Sequence, residues 1–310
     1  MQSRTFGVLA ASGAMIAVGT GVTVSAELTD YPVFGAQSVR YAIASLILVT
    51  GVLVVRRPIP VPRGGEWLWL LGVALTGLVL FNIAIIRSVE YAEPAAVAVL
   101  IGAVPLVLLF ADAIRLRRRP SPWLLIGATL VVIGAALVQG GGRGTVEGLA
   151  WALVALACEA AFTLLAVPVL GRLGAIGVSI HTTWMAALML GLLAVGVDGA
   201  AALPVMDGGE LFAVAFFAIV VTALAFLSWY SAVERLGPAT AGLFAGLMPI
   251  AAALSGVIPG LTTLTPAVLG GSFIVGAGIA IGLAARPDPA PHPEHVRTAP
   301  APGASQRVSG

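Results

Sequence analysis

The sequence predicts an all-α integral membrane protein with ten transmembrane helices built as two inverted five-helix repeats. The first observation is composition. Of 310 residues, 59% are hydrophobic and only 10% charged, and the mean hydropathy is +1.04. A soluble domain carries about 25% charged residues, so this chain has too few polar groups to cover a surface in water. The second observation is a duplication. Residues 34–139 align with residues 178–283 at a constant offset of 144, without a gap. Gly64-Gly65-Glu66 matches Gly208-Gly209-Glu210, Val89-Glu90 matches Val233-Glu234, Pro94-Ala95 matches Pro238-Ala239, and Pro105 matches Pro249. Internally repeated apolar chains fall into a short list of membrane architectures. The third observation is that the second copy lacks the arginines of the first.

A spanning helix needs about 20 apolar residues. Such runs occur at 5–25, 34–55, 66–87, 94–114 and 122–139, and again at 147–169, 175–197, 209–230, 238–258 and 265–285. Breaks between them are chemically clear: Asp30-Tyr31-Pro32, Pro58 to Gly65, Glu93-Pro94, Pro120-Ser121-Pro122, Gly140 to Gly144, Asp198 to Gly209 and Gly237-Pro238. The weakest is Leu170 to Gly174. Residues 1–26 also fit a weak signal-peptide pattern, with Arg4, an apolar stretch and Val24-Ser25-Ala26. Removing them would leave the first copy with four helices against five, so they are counted as a span. The expected units are therefore 4–139, 147–285 and a tail at 286–310. The tail has six prolines and little that could pack, which predicts a disordered cytoplasmic extension.

Five spans per repeat is an odd number, so the second copy must run in the opposite direction through the membrane. Loop charges agree. Arg56, Arg57, Arg63, Arg115, Arg117, Arg118 and Arg119 of the first copy become Ala200, Ala201, Asp207, Pro259, Leu261, Thr262 and Thr263 in the second. The positive-inside rule predicts such a loss for an inverted copy. With the amino terminus inside, 13 Arg lie on the cytoplasmic side, and only Arg87 and Arg143 lie outside. Both termini are thus expected in the cytoplasm.

Other classes find little support. A pI near 9.1 would suit nucleic acid, but the arginines sit in loops beside apolar spans, so no nucleic-acid partner is expected. The single Cys158 excludes an intramolecular disulfide. No zinc spacing occurs, and His292 and His295 in the tail make no metal site; no metal and no cofactor are expected. No HExxH, GxSxG or phosphate-loop motif appears, so the chain does not read as an enzyme.

Ten spans in two inverted repeats resemble the drug/metabolite transporter superfamily, specifically its EamA-type members. The resemblance covers roughly residues 4–285. It rests on the repeat, on Arg40-Tyr41 early in the second span, and on the stretch from Glu90 to Pro105 with its copy at 234–249. The Trp-Gly pair many members carry in the first span is replaced here by Ala17-Val18-Gly19-Thr20, so no ligand role for such a Trp carries over. The resemblance implies a secondary transporter, exporting or exchanging small metabolites, often amino acids, across the bacterial inner (plasma) membrane without ATP hydrolysis. A small-molecule substrate and the lipid bilayer are then its partners. A lipid flippase or a non-transporting scaffold stays open as an alternative.

Substrate in such architectures binds near the bilayer midplane, between repeats, and intramembrane polar groups there call for a reason. Glu159 lies about 12 residues into its span, roughly 18 Å deep. It could couple protons, hold a substrate ammonium, or be a neutral acid bonded to a neighbouring helix. Arg40 could grip a carboxylate bidentately, pair with Glu159, or snorkel towards Glu27 and Asp30. Gln37 lies one turn before Arg40. His181 and Trp184 are the repeat mates of Gln37 and Arg40. Asn82, with Thr76 nearby, could line a cavity or serve as interhelical glue. Trp229-Tyr230, and likewise Trp67 and Trp69, are expected as interfacial anchors, and Asp112 with Arg115 as an interfacial ion pair. Pro105 and Pro249 are symmetric candidates for hinges, static kinks being the alternative. Gly242/Gly246 and Gly278/Gly282 form GxxxG faces, which suit packing within the monomer or a homodimer. A zwitterion or neutral amphipathic molecule suits the sparse charge better than a polyanion.

Overall fold

The computed structural model describes residues 2–28 and 31–284; the expected tail, the two tail histidines and Asp30 lie outside the described residues. Among the described residues, ten helices are long and apolar enough to cross a membrane. They are α1 (Ser3–Val24), α2 (Val33–Val54), α3 (Glu66–Val89), α4 (Pro94–Arg115), α5 (Pro122–Gln139), α6 (Val146–Leu164), α7 (Val167–Ala201), α8 (Gly208–Leu236), α9 (Pro238–Val257) and α10 (Pro266–Leu283). Their starts are set by local chemistry. Proline, which has no N–H to lose in a first turn, opens α4, α5, α9 and α10. Thr145 and Thr265 cap α6 and α10, and Asp207 with Glu210 forms a capping box for α8.

Two boundaries differ from expectation. The α6 helix ends at Leu164 and α7 already begins at Val167, with Pro168 in its first turn. The expected break is a kink at Gly174 (φ 64°) inside α7, a backbone state favoured by glycine. The α8 helix runs past its expected end at 230 to Leu236, where Gly237 (φ 76°) and Pro238 stop it. Trp229 and Tyr230 are consequently interior residues, 5% and 0% exposed, and not interfacial anchors. The reason is that α8 is lengthened: the polar end of the helix is Glu234-Arg235, one turn later.

Four further helices are irregular, and in matched places. The α3 and α8 helices each widen into a π-helical stretch, Ala74–Leu80 and Phe217–Leu224, which coincide under the 144-residue offset to within a residue. The α4 helix breaks at Gly102 and Ala103. The α9 helix tightens into a 3₁₀ turn, Leu243–Gly246. Each of these breaks immediately precedes one of the prolines, Pro105 or Pro249, whose ring cannot continue a regular helix.

Helix pairing is reciprocal. The α1 helix packs on α8 and α9, while its repeat mate α6 packs on α3 and α4. The α2 helix pairs with α7, and α5 with α10. The α5–α10 seam is closest. A Cβ on Gly127 would lie 2.6 Å from the Gly278 carbonyl oxygen, and one on Gly134 would lie 2.6 Å from that of Gly271. Since Gly271 and Gly278 are the mates of Gly127 and Gly134, the seam maps onto itself. This is consistent with the two inverted halves. The GxxxG faces are filled within the chain: Gly282 also meets Gly127, Gly246 faces Val131 and Val275, and Gly242 faces Leu108. Asp112 and Arg115 form the expected ion pair at 2.6 Å.

Candidate substrate cavity

The irregular stretches wall a cavity of about 410 Å³. Its deep end is formed by Glu159 and Phe162 of α6 and Phe226 and Trp229 of α8. Its other end reaches Ser25 and Gln139, beyond the ends of α1 and at the end of α5. It therefore extends from mid-bundle to the face opposite the amino terminus. The π stretches contribute Gly77 and Leu78 on one side and Phe217 and Val221 on the other. A π turn inserts a residue into the helix and re-aims those that follow; here Asn82 and Phe226, which are repeat mates, both come to face the cavity.

Arg40 lines the wall. Its Nε donates to Thr222 Oγ1 at 2.7 Å, and one terminal nitrogen donates to Gln37 Oε1 at 3.0 Å. The guanidinium carbon sits 5.0 Å from the Tyr41 ring centroid and 4.9 Å from that of Phe217. Two neutral acceptors and two aromatic faces hold the cation, and among the described residues no carboxylate pairs with it. The remaining guanidinium N–H groups have no protein acceptor among the described residues and are left for a ligand or water. Gln37 does not line the cavity; it positions Arg40.

Glu159 faces the same space, with no hydrogen-bond or ion-pair partner among the described residues. A pairing of Arg40 with Glu159, one of the alternatives for Arg40, is not formed. Beside Glu159 in the cavity is an aromatic cluster, with the Phe162 ring tilted at 5.0 Å from Phe226 and 5.1 Å from Tyr230, and Tyr41 at 6.4 Å from Phe226. Trp229 is fixed by an Nε1 bond to Thr163 at 3.1 Å. Asn82 donates to the Leu78 carbonyl at 2.5 Å, leaving its amide oxygen available.

His181 and Trp184 lie elsewhere. His181 donates from Nε2 to the Pro60 carbonyl at 2.9 Å and accepts at Nδ1 from Trp184 Nε1 at 3.2 Å, which fixes the tautomer with its proton on Nε2. Trp67 packs edge-on against both rings. This cluster clamps the α2–α3 connection to α7 and does not touch the cavity. Pro249 lines the cavity, whereas Pro105 is buried behind it. Sequence reasoning missed the aromatic wall and Thr222, because aromatic residues in an apolar span read equally as lipid-facing. Their only signal was crowding on the α8 stretch from Phe216 to Tyr230.

A model of the EamA-like transporter family matches residues 5–139, the five spans of the first unit. Residues 5–139 thus form an EamA-like unit. Two curated relatives extend the likeness over both halves. The "Uncharacterized transporter YetK" of Bacillus subtilis (strain 168) is 28% identical over 80% of this chain and 78% of its own. The "Probable terminal-alkyne amino-acid exporter" of Streptantibioticus cattleyicolor is 26% identical over 79% of this chain and 82% of its own. A solved crystal structure at 19% identity superposes with a TM-score of 0.77 over 90% of this chain and 96% of that one, a likeness of fold.

Proposed function

We propose that this EamA-like protein is a transporter that exports small zwitterionic metabolites with apolar side chains across the bacterial plasma membrane, both termini being cytoplasmic. The observation that carries this reading is the charge layout of the cavity: one guanidinium without an acid partner and one carboxylate, separated by aromatic wall. A buried charge is stable only when something pairs with it. A zwitterion supplies a carboxylate for Arg40 and an ammonium for Glu159, and its side chain covers the aromatic rings. The bound site is then neutral. A polyanion would leave charge uncompensated beside Glu159. The amino-acid exporter among the relatives supports the same substrate class.

Alternating access is the mechanism we infer. Two equivalent halves make states open to either face close in energy, so modest differential affinity suffices to switch them. The helix breaks before Pro105 and Pro249 are the hinge candidates, because unwound backbone flexes without loss of further hydrogen bonds. Glu159 is the candidate proton-coupling group. The test is flux in proteoliposomes with a panel of amino acids against labelled lipids. Apolar amino acids are expected to move and lipids not; lipid-only movement would replace this reading with a flippase. Glu159→Gln is expected to bind substrate yet lose proton-driven flux, and full proton-dependent flux in that variant would remove the coupling role.

A further inference from the structure

The two halves can be compared position by position, and the comparison separates the cavity residues into two sorts. With the 144-residue offset carried from the aligned 34–139 back through α1, some repeat mates both line the cavity: Met15 with Glu159, Asn82 with Phe226, Ile85 with Trp229. For others one member lines it and its mate lies outside it. Ser25 faces the cavity while Val169 is 1% exposed, and Val22 faces it while Ala166 is 0% exposed. Arg40 belongs to the second sort. Its mate Trp184 lies outside the cavity, engaged with His181 and Trp67.

If the halves exchange conformations, residues of the first sort stay in the cavity and residues of the second sort trade places with their mates. We propose that carboxylate recognition in this transporter is one-sided. Arg40 meets the cargo only when the cavity is open to the face opposite the amino terminus, whereas Glu159 meets it in both states. In the opposite state Trp184 takes the place of Arg40 and offers no cation. A ligand bearing a carboxylate is then bound more tightly in the state described here, and it shifts the population towards that state. An amine without a carboxylate uses Glu159 alone and shifts nothing, because a ligand of equal affinity for two states moves no equilibrium. This rests on the alternating-access reading above and adds an unequal affinity at the two faces.

The sole cysteine, buried Cys158, gives a clean background once replaced by alanine. Ser25→Cys and Val169→Cys, which are repeat mates, report the two faces through labelling by a membrane-impermeant thiol reagent in proteoliposomes. Saturating L-leucine is expected to raise the Ser25→Cys labelling rate and lower that of Val169→Cys, changing their ratio severalfold. 3-Methylbutylamine, the same side chain without the carboxylate, is expected to change the ratio less than about twofold. Arg40→Gln should abolish the leucine effect. Thr222→Val, which keeps the charge and removes its Nε acceptor, should weaken that effect and guards against misfolding of the Arg40 variant. Equal shifts by leucine and the amine, no shift by either, or a leucine shift that survives in Arg40→Gln would overturn the proposal. Leucine flux measured in the same vesicles separates the readings. Flux without a labelling shift overturns one-sidedness alone. A labelling shift without flux keeps the one-sided site and overturns transport of leucine.

Discussion

At the scale of single residues, the site depends on how few polar groups are present and how each is held. Trp229 illustrates this. Its indole N–H bonds the buried Thr163 hydroxyl, so the ring that closes the deep end of the cavity has a fixed orientation. Trp229→Phe keeps an aromatic wall and deletes that bond. A net loss of about 1 kcal/mol is expected, read as a small drop in melting temperature of the detergent-purified protein, with a larger change in substrate KM than in kcat. Arg40 was legible in the sequence as a charge inside a span, but its restraint was not. Thr222 lies 182 positions away along the chain, and no pattern of spacing links it to Arg40. His181 and Trp184, the repeat mates of Gln37 and Arg40, lie outside the cavity in this conformation, because the halves differ at that level.

At the scale of helices, the breaks and seams carry the behaviour. The α5–α10 seam has no room for a side chain at Gly134, where a Cβ would sit 2.6 Å from the Gly271 oxygen. Gly134→Val is expected to cost about 1–3 kcal/mol or more by overpacking. Gly276→Ala on the same α10 helix meets nothing within 4 Å and should leave the melting temperature unchanged. An equal drop in both would show that the contact with Gly271 does not set the effect. Pro249→Ala restores an N–H and lets α9 run straighter. It is expected to slow transport severalfold with substrate affinity little altered, and an unchanged rate would make the kink a static feature of the wall. The spans themselves were legible, since hydrophobic length needs only composition. The π stretches were not: a π turn adds one residue to a helix whose sequence remains uniformly apolar.

For the whole molecule, the described conformation is open to one face and closed at the other. At the closed, amino-terminal face, Arg172 of α7 bonds Glu66 of α3 and donates to the Val61 carbonyl at 3.0 Å. His181 holds the Pro60 carbonyl beside it. The Arg172 and Glu66 side chains are 39% and 21% exposed, and an ion pair so open to solvent contributes little to stability. That is small for folding but comparable to the gap between two near-equal states. Arg172→Ala should thus leave the melting temperature nearly unchanged while measurably raising thiol labelling of Val169→Cys from the amino-terminal face. Unaltered labelling would mean that the latch does not set the equilibrium.

What the sequence determined by itself was the solvent, the number of spans and the duplication. Each of these follows from local hydropathy or from residue identity at fixed offset, and neither needs knowledge of contacts. Only the tertiary structure decided which polar groups share a cavity. Two halves with matching sequence positions are packed differently at their two ends, so that Ser25 is open and Val169 sealed, and Arg40 faces the cavity while Trp184 does not. Repeat symmetry in sequence cannot encode that difference, because it is a choice between two conformations of equivalent elements and arises from packing across the whole bundle.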